Sequence, residues 1–176
     1  MTAVAQRTRP ARRGLPPGVR KTVLLVHVIT SVALLGEIWV MVVLNLAATL
    51  ADDPVLAHSA YRLMTFLVYA GGIPLSMTAL VSGIVLGLGT RWGLLRHWWV
   101  TAKLVLLVAT ILMGIVLFTP EVMAAATEGG VPADPARQWR QVAVVSGQLA
   151  LLLTATGLSV FKPKGRIRHP WAKESV

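Results

Sequence analysis

The sequence predicts an all-α fold: an integral membrane bundle of four transmembrane helices with both termini cytoplasmic. Three observations predict it. The chain has 176 residues, of which 55% are hydrophobic and 14% charged, whereas a soluble domain carries about a quarter charged residues. Four apolar runs each reach the ~20 residues that a span requires. Fourteen of the 17 Lys and Arg residues then fall on one side of those runs. The same composition excludes other classes. Without cysteine there are no disulfides, thiolate nucleophiles, iron–sulfur clusters or Cys-rich zinc sites. The net charge of +10 reads as topology and anionic-lipid contact rather than nucleic-acid binding, because the positives cluster beside the hydrophobic runs.

Residues 1–21 are rich in Arg and Pro and have no apolar period; they read as a disordered, basic cytoplasmic tail. The four-helix domain covers 22–161, and 162–176 form a second basic tail. The first helix spans about 22–51. Its apolar run is too long for the 7–15-residue core of a signal peptide and contains Glu37, so it reads as a retained span. His27, Thr30, Ser31, Glu37 and Asn45 fall on one stripe, which should face protein rather than lipid.

Asp53 and Pro54 form a helix start, a capping residue followed by proline at the first helical position. The second helix covers about 54–88. His58, Arg62, Thr65 and Tyr69 share one face near its start and read as a wet helix end. Pro74 has no N–H to offer the Ala70 carbonyl, so a kink is expected there. Gly72, Ser76, Gly83 and Gly87 form a small-residue face suited to close helix packing. The turn at 89–97 carries Arg91, Trp92, Arg96 and His97, and it makes the second and third helices an antiparallel hairpin.

The third helix spans about 98–119. Lys103 lies one to two turns inside and can snorkel back to the basic side. Pro120 ends this helix, and 120–137 read as the longest loop. Asp134 and Pro135 repeat the start signal of the second helix, and the fourth helix covers about 136–161. Arg62, Arg137, Arg140 and five acidic residues are left for the opposite side. The positive-inside rule then puts both termini in the cytoplasm.

HVITSVALLGEIWV, PLSMTALVSGIVLGLGTRWGLLRHWWVTAKL and SVFKPKG resemble a family of small bacterial four-helix predicted integral membrane proteins of unknown function. The likeness runs from about residue 20 to 170, and GLGTRWGLLRHWW is its most specific part. It implies a multi-pass protein of the bacterial cytoplasmic (inner) membrane. It implies no activity or binding site. Glu37 stands where the resemblance leads one to expect a small or apolar residue.

Two clusters are candidate sites. Glu37, Ser76, Thr110 and Gln148 fall at one level near the middle of their spans. Ionising an unpaired carboxyl at that depth is costly, so a neutral Glu37 is expected to bridge the Ala70 carbonyl and Gln148. His27, Arg91, Arg96 and Lys103 form a basic collar on the cytoplasmic side, suited to anionic headgroups.

Three functional classes follow. The first is a structural or interaction subunit that packs through the small-residue face against a second copy or another membrane protein. The second is a small proton-coupled transporter or channel-like protein using Glu37. The last is a haem-binding electron-transfer protein using His27. No cofactor or metal is expected. No Ser-His-Asp set, paired carboxylates or phosphate loop marks an enzyme.

Overall fold

The computed structural model describes residues 14–89, 94 and 97–161. Helix α1 runs Pro17–Leu50, α2 Pro54–Leu67, α3 Ile73–Gly89, α4 Trp98–Leu117, α5 Pro120–Ala126 and α6 Pro135–Phe161. A π-helical turn, Val68–Gly72, joins α2 to α3 without a break. Four segments are long and apolar enough to cross a membrane: Pro17–Leu50, Pro54–Gly89, Trp98–Ala126 and Pro135–Phe161. Their outward faces carry Leu25, Val32, Val81, Ile115, Val116 and Val160, each at least 59% exposed. An apolar surface of that extent is unusual for a protein surrounded by water and suits lipid.

The helices close a ring. α1 packs along α3 on one side and α6 on the other, α4 packs on α6, and a looser α3–α4 contact completes the circuit. α1 has 34 residues and α4 has 20, which at 1.5 Å per residue is about 51 Å against 30 Å. The difference shapes the molecule. α4 stops at Leu117, and α5 then packs against α2. The end of the bundle near Asp53, the loop end, is therefore built from α1, α2, α5 and α6.

The larger apolar core lies there, with Met41, Ala48, Tyr61, Met64, Phe118, Met123 and Val145 buried together. A smaller cluster of Leu34, Ile38 and Leu152 lies toward the other end, the tail end. Polar side chains stitch the loop end. The Asn45 amide, fully buried, donates to the Met41 carbonyl at 3.0 Å. Gln138 Nε2 donates to the Ala48 carbonyl at 3.2 Å, and Gln141 Nε2 to Thr119 Oγ1 at 2.9 Å.

The start signals at Asp53 and Asp134 act locally. Asp53 Oδ1 accepts from the Val55 N–H at 2.9 Å, and Asp134 Oδ1 from the Ala136 N–H at 3.1 Å. Other boundaries differ from the sequence reading. α1 begins at Pro17, because proline suits the first helical position. Pro120 interrupts one helix and starts another for the same reason. The segment read as a loop after it holds α5 and a short 3₁₀ turn, Glu128–Gly130. Gly129 and Gly130 reverse the chain there at φ of 72° and 80°, backbone that side chains disfavour. Residues 17–21, read as part of a disordered tail, are helical; residues 1–13, the tail at 162–176, Arg91 and Arg96 lie outside the described residues.

Candidate functional site

The site begins at Pro74. Within an α-helix the Ala70 carbonyl would look to residue 74, which has no N–H. The helix widens by one residue ahead of the proline instead of simply kinking. The Ile73 N–H donates to the Val68 carbonyl, five residues back. Counted five residues on, Ala70 comes opposite Leu75, which has an N–H, and Pro74 comes opposite Tyr69. Such π turns recur at functional sites.

Glu37 of α1 is seated against this turn. A Cβ added at Gly71 would lie 3.0 Å from Oε1 and 3.1 Å from both Cδ and Oε2; at Gly72 it would lie 3.1 Å from Oε1. A side chain at either glycine would crowd the carboxyl and make it give way by a few tenths of an ångström. Both carboxyl oxygens are shielded from solvent and neither has a hydrogen-bond partner. The Gly72 N–H is the backbone donor facing the carboxyl, but the contact falls short of hydrogen-bond geometry.

The expected bridge to Gln148 is not formed. Gln148 Nε2 donates to the Thr110 carbonyl on α4 at 3.0 Å. Gly114 makes room for it, since a Cβ there would lie 3.2 Å from Nε2. α6 thus turns its amide toward α4, while α1 turns its carboxyl toward the π turn. Ser76 is buried and spends its hydroxyl on the Ile73 carbonyl at 3.0 Å. Thr110 spends its own on the Leu106 carbonyl at 2.9 Å.

His27 occupies the same interface nearer the tail end. Its Nδ1 lies 3.1 Å from the Ala79 carbonyl and 3.0 Å from Ser82 Oγ. Ser82 Oγ donates to the Thr78 carbonyl at 2.6 Å. Its proton is therefore committed, and both neighbours of Nδ1 are acceptors. Nδ1 carries the ring proton, and Nε2 is the basic nitrogen. Lys103 of α4 is within electrostatic reach of the ring, and its Nζ lies 6.0 Å from the centre of the Trp99 ring. Of the four collar residues, His27 and Lys103 are the described ones.

The small-residue face is filled from within the chain. Gly72 meets Glu37, Gly83 meets His27 with a would-be Cβ 3.1 Å from Cε1, and Gly87 meets Leu94. Sequence reasoning did not pair these groups, although the spacing carried a signal. His27 and Glu37 are ten residues apart on α1, and their glycines are eleven to twelve apart on the antiparallel strand of helix. No family model, curated protein or solved structure matches the chain, so its chemistry is read from this geometry alone.

Proposed function

We propose that the chain is a small proton-coupled membrane protein in which Glu37 binds and releases a proton against the π turn. One observation carries this reading. An acidic side chain sits at a non-α turn within an apolar span, with both oxygens shielded and unpartnered. Ionisable groups inside spans are costly and mark ion or proton pathways by default. The two protonation states ask for different surroundings. The anion needs donors, and the Gly72 N–H is the one facing it. The neutral acid has an O–H that needs an acceptor. A turn without side chains at 71 and 72 adjusts to either at low cost.

The reading predicts proton flux. In vesicles loaded with a pH-sensitive dye, an imposed membrane potential should acidify or alkalinise the lumen when the protein is present. Glu37→Gln keeps the shape but cannot release a proton, so the flux should fall to that of empty vesicles while the fold is kept. Wild-type flux in the Gln variant would refute the reading.

Gly72 and Gly83 of the small-residue face pack against α1 within the chain, which is why the proton-coupled reading is preferred to an interaction subunit. For placement, we propose the bacterial inner membrane with both tails cytoplasmic, where their positive charge meets anionic lipid. A reporter fused after Val176 should read cytoplasmic and a tag within 124–132 external. An external C-terminus would contradict four spans.

A further inference from the structure

The π turn has a second attachment that proton exchange at Glu37 does not use. Tyr69, within the turn, donates its hydroxyl to Glu121 Oε1 at 2.9 Å. Glu121 lies in the first turn of α5. The other end of α5 is strapped elsewhere: His58 Nδ1 of α2 lies 3.1 Å from the Ala124 carbonyl and 3.1 Å from Thr127 Oγ1. Thr127 Oγ1 is itself 2.9 Å from the Met123 carbonyl, to which it donates. One five-residue element therefore meets the Glu37 carboxyl through Gly71 and Gly72, and α5 through Tyr69.

We propose that Tyr69 and Glu121 transmit the protonation state of Glu37 to α5, so that the first turn of α5 seats and unseats with the proton. This rests on the proton-exchange reading. The argument is geometric. A π turn holds one residue more than an α turn. Returning it to α geometry shifts the register by one residue, which rotates the chain on one side by about 100°. Tyr69 lies inside the turn, so its ring swings with the shift. Its hydroxyl bond to Glu121 lies on the outside of the bundle, so no core packing holds the ring in place. A modest change in the turn breaks the bond. His58 lies on α2 before the turn, in a part that keeps its register. The Ala124–Thr127 end of α5 should therefore stay in place while the Glu121 end lifts.

The titratable groups around this path are few. Glu37 is faced by the backbone of Gly71 and Gly72. Tyr69 and Glu121 face each other, and His58 faces α5.

The test is amide hydrogen exchange of the full chain in lipid nanodiscs, at about pH 6 and pH 9, expressed as protection factors. In the wild type, protection of the peptides covering 68–72 and 119–123 should change severalfold together. In Glu37→Gln both changes should be lost. In Tyr69→Phe the change at 68–72 should persist and the change at 119–123 should vanish. A change at 119–123 that survives Tyr69→Phe or Glu37→Gln overturns the proposal, as does a response confined to 68–72 in the wild type. The infrared carbonyl band of Glu37 separates the two readings. A band that titrates while 119–123 stays silent overturns the coupling alone, and a band that does not titrate overturns both.

Discussion

Gly83→Leu is expected to destroy the fold or to lower its unfolding temperature strongly. A Cβ at this position already lies 3.1 Å from His27 Cε1. The ring cannot retreat freely, because Nδ1 is held by the Ala79 carbonyl and Ser82 Oγ. Three further carbons of leucine must then push α1 away from α3. Overpacking alone costs about 1–3 kcal/mol, and here it also breaks the histidine's bonds. Gly83→Ala is a finer test, since alanine gains up to about 1 kcal/mol of helix propensity against the clash; a net loss is expected. Gly36→Ala is the control. Nothing lies within 4 Å of its would-be Cβ, so only the gain should remain. Thermal unfolding in a mild detergent checks all three. Equal stability for Gly83→Leu and Gly36→Ala would show that α1 and α3 are not packed as described.

Glu37→Leu is expected to keep or raise stability while abolishing proton flux. The sequence alone pointed the other way. A carboxyl bridging the Ala70 carbonyl and Gln148 would have been glue, and its loss would have cost the bundle. With neither oxygen partnered, there is no bond to lose. Replacing an unsatisfied buried polar group by an apolar one of similar size is neutral or stabilising. Leucine is branched where glutamate is flat, so part of that gain is spent against Gly71 and Gly72. The expected shift is between zero and about +2 kcal/mol. A side chain that weakens its own fold at a non-α turn is best explained by what it does. A loss above about 2 kcal/mol would mean that Glu37 has a structural partner after all.

The comparison of these two residues shows what sequence periodicity can and cannot give. The stripe with His27, Glu37 and Asn45 was legible, because polar residues in an apolar run must turn inward. The small residues of α3 were legible as a packing face for the same steric reason. Which neighbour each side chain meets was not. A stripe defines a direction on one helix, and the ring order of the bundle is set by loops and packing that no local period encodes. Glu37 and Gln148 share a level yet point to different partners. Pro74 announced a lost hydrogen bond, but kinking and widening both answer that loss. The widened turn holds Gly71 and Gly72, with the Glu37 carboxyl packed on them, a pairing that no local period announces. α5 was hidden by Pro120, which ends one helix and begins the next.

The most direct measurement is the infrared carbonyl band of Glu37, followed across pH in the full-length protein in lipid, with Glu37→Gln as the spectral blank. Proton exchange against the π turn predicts a carboxylic-acid band that is present at low pH. It should vanish reversibly as the pH rises, be absent from the Gln variant, and exchange with deuterium. A band that persists unchanged to high pH, or one that never forms, would contradict the account.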